Sequence, residues 1–259
     1  MRLGPVLREA WRVWREQKWL AWIPLIASVP AMAGFAVKLP TEASLGWMGR
    51  GEDLLLFGVP AALAGAFAET LMIAAVRRAR GQRQTPRLFG VVRARWKSAL
   101  GVQLCGALTG AVSSLAFALP WWLDDLGLDL AAIVLICAVL AVPYAALEIT
   151  RSAWIEFAMR HVVLEEAEAL PALIRAWRFL HGRVRLAIEV YLAAALAYVV
   201  SFLLLTTPIA IVRLAGAQLA VLIAVTLASF VIFLATVSIA AVLQSAIWTL
   251  SFLDERALD

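Results

Sequence analysis

Near the start of the chain, apolar side chains recur at Leu3, Val6, Leu7, Ala10, Trp11 and Trp14. This is the i, i+3, i+4, i+7 spacing of one helix face. Arg2, Arg8, Glu9, Arg12, Arg15 and Glu16 fill most of the other face, so the opening stretch predicts an amphipathic helix. From Trp19 onward the periodicity gives way to long apolar runs at residues 19–37, 54–76, 99–121, 128–149, 186–212 and 214–252. Five of them suit a membrane span of about 17–25 residues. The last is too long for one ordinary span. It reads either as an interfacial or half-inserted piece around 214–228 followed by a sixth helix, or as one long, tilted helix.

The opening helix has two echoes. "PVLREAWRVW" (5–14), "PRLFGVVRAR" (86–95) and "PALIRAWRFL" (171–180) share Pro-x-Leu-x-x-[Ala/Val]-[Trp/Val]-Arg, with Pro5, Leu7, Arg12, then Pro86, Leu88, Arg93, then Pro171, Leu173, Arg178 at matching offsets. The third copy repeats the apolar stripe with Leu170, Leu173, Ile174, Trp177 and Leu180, and the second carries a weaker one with Leu88, Val91, Val92 and Trp96. Proline opens each helix, where its missing N–H costs nothing, and Thr85 is placed to cap the second. A basic helix with tryptophan on its apolar side lies in the membrane interface, which makes Trp11, Trp14, Arg12, Arg93, Trp96, Trp177 and Arg178 the candidate interface residues. Each copy precedes two apolar runs. The pattern therefore predicts an all-α, polytopic transmembrane helix bundle. It forms a single membrane domain over 1–259, with three repeats of an amphipathic elbow helix plus a transmembrane hairpin at approximately 1–80, 81–165 and 166–259.

Composition agrees with a bilayer. The chain of 259 residues is 63% hydrophobic and only 16% charged, with a mean hydropathy of +0.87, whereas a soluble domain is about half apolar and a quarter charged. The net charge of +5 would fit nucleic acid, but the basic residues are divided among segments that flank the apolar runs. Twenty of the 23 Lys and Arg fall on one side of a six-span arrangement and three on the other. By the positive-inside rule both termini are cytoplasmic. The expected partner is then the lipid bilayer, with anionic lipid at the cytoplasmic face and no nucleic acid. Ala31-Met32-Ala33 has the small-residue pattern of a signal-peptide cleavage site, but the patterned helix before it favours a retained first span.

The stretch "VVLEEAEALPALIRAWRFLHGRVR" resembles the signature of the bacterial glycerophosphodiester phosphodiesterase membrane-domain family. Ala172, Leu173, Ala176, Trp177, Arg178, Gly182 and Arg183 fit its pattern, and Phe252, Asp254 and Arg256 match its aromatic-x-Asp-x-Arg ending. The resemblance implies a six-span, multi-pass protein of the cell inner (plasma) membrane. In the family's enzymes a soluble catalytic domain follows the membrane domain. This chain stops at Asp259, so phosphodiesterase activity is not carried over.

Little else points to chemistry. His161 and His181 stand without a metal-ligand cluster around them, and no nucleophile elbow or P-loop pattern is present. No catalytic residue, metal or cofactor is expected. Cys105 and Cys137 fall within apolar runs and read as buried thiols. Ionisable residues inside spans are the sharper signal, because each costs about 2.5–3.5 kcal/mol at a helix centre. Glu69 is the deepest and lacks a partner nearby in sequence; Arg151, Gln103 and Gln244 are its candidate partners. Glu148, three residues before Arg151, reads as that arginine's ion pair. "AFAETLMI", "YAALEITR" and "AAVLQSAI" place Glu69, Glu148 and Gln244 at similar points of the three hairpins. With Glu189 just inside the fifth span, these residues form a candidate polar intramembrane binding cluster. Gly106, Gly110 and Ser114 make a small-residue stripe suited to close packing within the monomer or to homo-oligomerisation. Pro24, Pro30, Pro143 and Pro208 kink spans or sit near their ends. These observations favour a non-enzymatic binder or transporter of a small or amphiphilic molecule. The alternatives are an envelope scaffold or regulator that grips anionic lipid with its basic elbows, and an intramembrane enzyme.

Overall fold

The structure, a computed structural model, describes residues 3–28, 59–81, 88–216 and 218–257. Ala31-Met32-Ala33, Pro30, the Thr85–Pro86 helix start and the second half of the first apolar run lie outside the described residues, as does the side chain of Ser114. The described chain is all-helical. Its elements are α1 (Leu3–Glu16), a 3₁₀ turn (Lys18–Ala21) leading into helical residues 22–28, α2 (Val59–Ala79), α3 (Leu88–Asp125), α4 (Leu130–Leu164), α5 (Ala169–His181), α6 (Val184–Leu214) and α7 (Leu219–Arg256).

Among the described residues, α2, α4, α6 and α7 are long and apolar enough to cross a membrane, as expected of a multi-pass membrane protein. Several are longer than a span requires. At 1.5 Å per residue, the 38 residues of α7 reach about 57 Å, against a hydrocarbon core of about 30 Å. The long final apolar run is thus one helix, with no separate interfacial piece among its described residues. Gly127 and Gly216, both at positive φ, make the tight turns α3–α4 and α6–α7, and the Asp129 side chain caps α4 by accepting from the Ala132 N–H at 2.7 Å.

The three decapeptides do not fold alike. The first forms α1 and the third forms α5, each a separate helix with its proline in the first turn. The second runs without a break into the following apolar stretch as part of α3. Chain chemistry accounts for the difference. Gly182 follows the third copy as the C-cap of α5, whereas "WKSAL" after Arg95 contains no Gly or Pro to stop the helix; α1 stops before Gln17 without such a residue.

Burial is concentrated at one end of the bundle. Val6, Ala10 and Val13 of α1 pack with Ile73 and Val76 of α2, Ala99 and Val102 of α3, Phe157 and Val162 of α4, Ala172 and Ala176 of α5, and Leu250 of α7. Phe157 centres this core, edge-on to Trp248 at 5.0 Å and to Phe179 at 4.8 Å. The opposite stems are the most apolar parts, yet the apolar windows of α4, α6 and α7 are only 6% buried within the chain. The expected lipid-facing stripe of α1 therefore divides. Val6 and Ala10 turn to the bundle, Leu7 and Trp11 face outward, and Trp14 is half-buried against Trp11 with ring centroids 4.6 Å apart. On α5, Trp177 is exposed to the same degree as Trp11.

Candidate functional site: a buried arginine and a lateral groove

Arg160 of α4 is fully buried, and three helices converge on it. Its guanidinium pairs with Glu69 of α2 at 2.9 Å and with Glu156 one turn earlier on α4. It donates to the carbonyls of Glu156 at 2.9 Å and of Ser245 on α7 at 3.2 Å. The ring of contacts is closed by Ser245 Oγ, which donates to Glu69 at 3.0 Å, and by Gln244 Nε2, which donates to Glu156 at 3.2 Å. An always-charged planar guanidinium with five donors suits this role, because a buried charge is tolerated only when paired and hydrogen-bonded.

The partner of Glu69 is thus Arg160, with Ser245, and not Arg151, Gln103 or Gln244. Arg151 lies nine residues before Arg160 on α4, about 13 Å along the axis, and is held elsewhere. Its Nε and Nη2 donate to Glu148, the latter at 2.6 Å, and its Nη1 donates to the Gly106 carbonyl at 3.1 Å. Gly106 and Gly110 permit that approach. A Cβ on Gly106 would meet Ile155 at 3.3 Å, and one on Gly110 would meet the Arg151 guanidinium at 3.2 Å. Glu189 pairs with the exposed Arg185 at 2.8 Å, and Gln103 is half-buried on α3. The six residues expected to share one cluster are therefore divided among separate places, with Glu69 and Gln244 meeting only through Arg160, Glu156 and Ser245. Reasoning from sequence missed Arg160 and Glu156. The signal was the i, i+4 Glu–Arg pair in "WIEFAMRHVV", a segment apolar on nearly every side.

A second knot closes the same end. His161, edge-on to Phe252 at 5.0 Å, shares a hydrogen bond of 2.8 Å with Glu165, which also pairs with Arg256 and, at 3.5 Å, with Arg175. Burial pushes the Glu165 carboxyl up, but the His161 hydrogen bond and the Arg256 guanidinium outweigh it and hold the group below its ordinary value. Asp254 pairs with Arg80. Arg183 donates to Glu255 at 3.0 Å and stacks over Phe179 at 4.3 Å. Among the described residues no group of His, Cys, Asp and Glu is placed to hold a metal ion, and Cys105 and Cys137 are free thiols.

Beside the packed end, α4, α5 and α6 enclose an open groove of about 580 Å³, within the roughly 300–1,000 Å³ range of small-ligand sites. Ala141, Ala145 and Ala146 leave room on one wall, Val184 and Ile188 form the other, and Trp177 and His181 sit at its α5 end. The elbow that supplies these two rings is fixed: Trp154 Nε1 donates to the Leu173 carbonyl at 2.8 Å, and its ring meets Trp177 edge-on at 6.0 Å. Arg178, one turn before His181, makes no ion pair among the described residues. The groove can accept an apolar chain along its walls and a polar head at the α5 end. No family model matches this chain, and neither a curated protein nor a solved structure matches it.

Proposed function

We propose that this chain is a non-enzymatic, multi-pass membrane protein that binds an amphiphilic molecule in the groove between α4, α5 and α6. The observation that carries the reading is that apolar groove, flanked by two long apolar helices and ending at Trp177 and His181. An open apolar groove between spans is filled by hydrocarbon in a bilayer, and an end that carries an indole and an imidazole suits the headgroup level. The same reading has six spans with both termini in the cytoplasm of a cell whose inner membrane holds the protein. It also includes the threefold elbow-plus-hairpin repeat and the resemblance to the phosphodiesterase membrane-domain family. The neighbours of the decapeptide helices support the repeat: α5 packs on α4, α3 on α2 and α1 on α7. Each copy thus packs against the preceding hairpin's second helix, and the first against the last.

The groove is tested with a lysophosphatidylcholine brominated on its acyl chain, titrated into protein in detergent. The Trp177 signal, taken as the difference from Trp177→Phe, is expected to quench saturably. Ala145→Phe, which fills the groove, is expected to weaken binding about tenfold, equivalent to about 1.4 kcal/mol. Unchanged quenching in Ala145→Phe would remove this function.

A second reading, a membrane scaffold held by its elbows on anionic lipid, is favoured by a different observation. Glu69 is satisfied by Arg160 and Ser245, as in a structural bundle. Vesicle binding that depends on elbow charge but is indifferent to Ala145→Phe would select it.

A further inference from the structure

A second groove, of about 500 Å³, lies between α2 and α3. Leu63, Ala66 and Phe67 line it from α2, and Phe89, Arg93 and Trp96 from α3. Placing Glu69 over Glu148 sets Leu63, Ala66 and Phe67 over Val142, Ala145 and Ala146. Placing Pro86 over Pro171 sets Val92 and Trp96 over Trp177 and His181. All of these positions line one groove or the other. The two grooves are therefore made by corresponding positions of successive segments, even though the second decapeptide continues α3 and the third forms a separate helix.

The second groove differs in charge. Arg93 lines it and makes no ion pair among the described residues. Lys97 lies 5.9 Å from the centre of the Trp96 ring, so a second cation stands at the same edge. The nearest basic neighbour along the helix, Arg95, is engaged elsewhere by Glu166. The interior is aromatic and apolar, with Phe67 and Phe89 ring centroids 6.3 Å apart. An apolar trough ending in two cations and an indole matches a molecule with a hydrocarbon chain and an anionic phosphate head.

We infer that the α2–α3 groove is a binding site for an anionic phospholipid of the bilayer, its phosphate held by Arg93 with Lys97 and its acyl chain lying along Leu63 and Phe67. The inference extends the proposed amphiphile binding to a second, charge-selective site, but it does not require the larger groove to bind anything. A basic residue near the membrane surface contributes about 1 kcal/mol to binding anionic lipid, or about fivefold in affinity.

The test uses full-length protein extracted from vesicles of phosphatidylcholine doped with phosphatidylglycerol, with retained lipids counted by native mass spectrometry. The unmodified protein is expected to retain phosphatidylglycerol over phosphatidylcholine. Arg93→Gln should weaken that retention about fivefold, and Leu63→Trp should abolish it by filling the trough with Arg93 intact. Arg8→Gln, on the exposed face of α1, should leave it unchanged. Equal loss in Arg93→Gln and Arg8→Gln would mean diffuse charge attraction only and would overturn the site, as would full retention in Leu63→Trp. Loss in Ala145→Phe with Leu63→Trp unaffected would place the anionic lipid in the larger groove, sinking this assignment while leaving the proposed function standing. The melting temperature of each variant identifies any that fails to fold.

Discussion

The two ends of the bundle obey different rules. At the packed end, α2, α3, α4, α5 and α7 bury most of their apolar contact residues and some ionisable ones with them: Arg160 is fully buried and His161 nearly so. Along the stems of α4, α6 and α7 the chain is more apolar but scarcely buried within itself, with Leu203, Phe202 and Val231 all more than half exposed. In water that distribution would be unstable. In a bilayer it follows from the solvent, because lipid tails are as apolar as leucine and helices gain nothing by hiding leucine from them. The region with the highest hydropathy therefore contributes least to fixing the tertiary structure. Specific geometry comes where hydrogen bonds and close packing have no substitute in lipid.

The largest effect that would break this contrast is expected at Arg160. Arg160→Ala leaves the partly buried Glu69 and Glu156 without their cation and should cost about 3–5 kcal/mol, read as loss of cooperative unfolding or of folded protein in detergent. Combining Arg160→Met with Glu69→Leu and Glu156→Leu should recover most of that stability, since an apolar replacement of a buried ion cluster removes its desolvation cost. A benign Arg160→Ala would mean the packed end does not depend on its ion cluster. A direct comparison of the two ends comes next in size. Leu250→Ala, in the core beside Phe252, should lose about 2–5 kcal/mol, whereas Leu203→Ala on the α6 stem should lose well under half as much. Equal losses would place the stem leucine inside a protein core.

The smallest effect is a pH dependence at the packed end. The folded-state value of Glu165 lies below the ordinary 4.5. Its ion pairs therefore add stability that is complete above that value and disappears as pH falls through the lower, folded-state value. Half-exposed pairs of this kind are worth roughly 1 kcal/mol or less. The melting temperatures of the unmodified protein and Glu165→Gln should differ at neutral pH and converge below pH 4.5. A gap that widens on acidification would mean that another group controls this end.

The apolar runs were legible because hydropathy is a local property, whereas the turns at Gly127 and Gly216 were not singled out by it. Where the helices end was less legible. Hydropathy stops the fourth apolar run at Ile149, yet α4 continues to Leu164, carrying Glu156, Arg160 and His161 from an expected connecting segment into the core. Glu69 was recognisable as a carboxylate inside an apolar run, but its partner depends on which helices become neighbours, and spacing along one chain does not encode that. The second decapeptide had the same signature as the other two and folded differently because the residues after it, not those within it, decide whether the helix stops.

The Arg160 junction also bears on how the chain comes to be assembled. Its last contributor, Ser245, lies 176 residues after Glu69 and 85 after Arg160. Chains are synthesised from the N-terminus, and early segments begin to organise first. Until α7 arrives, the guanidinium lacks the Ser245 carbonyl, Glu69 lacks the Ser245 hydroxyl and Glu156 lacks the Gln244 amide. A chain cut short before Ser245 lacks these three contacts, where a finished one leaves only the Arg160 Nε of that guanidinium without a partner among the described residues, so completion of the polypeptide is itself recorded in the bundle as a chemical state.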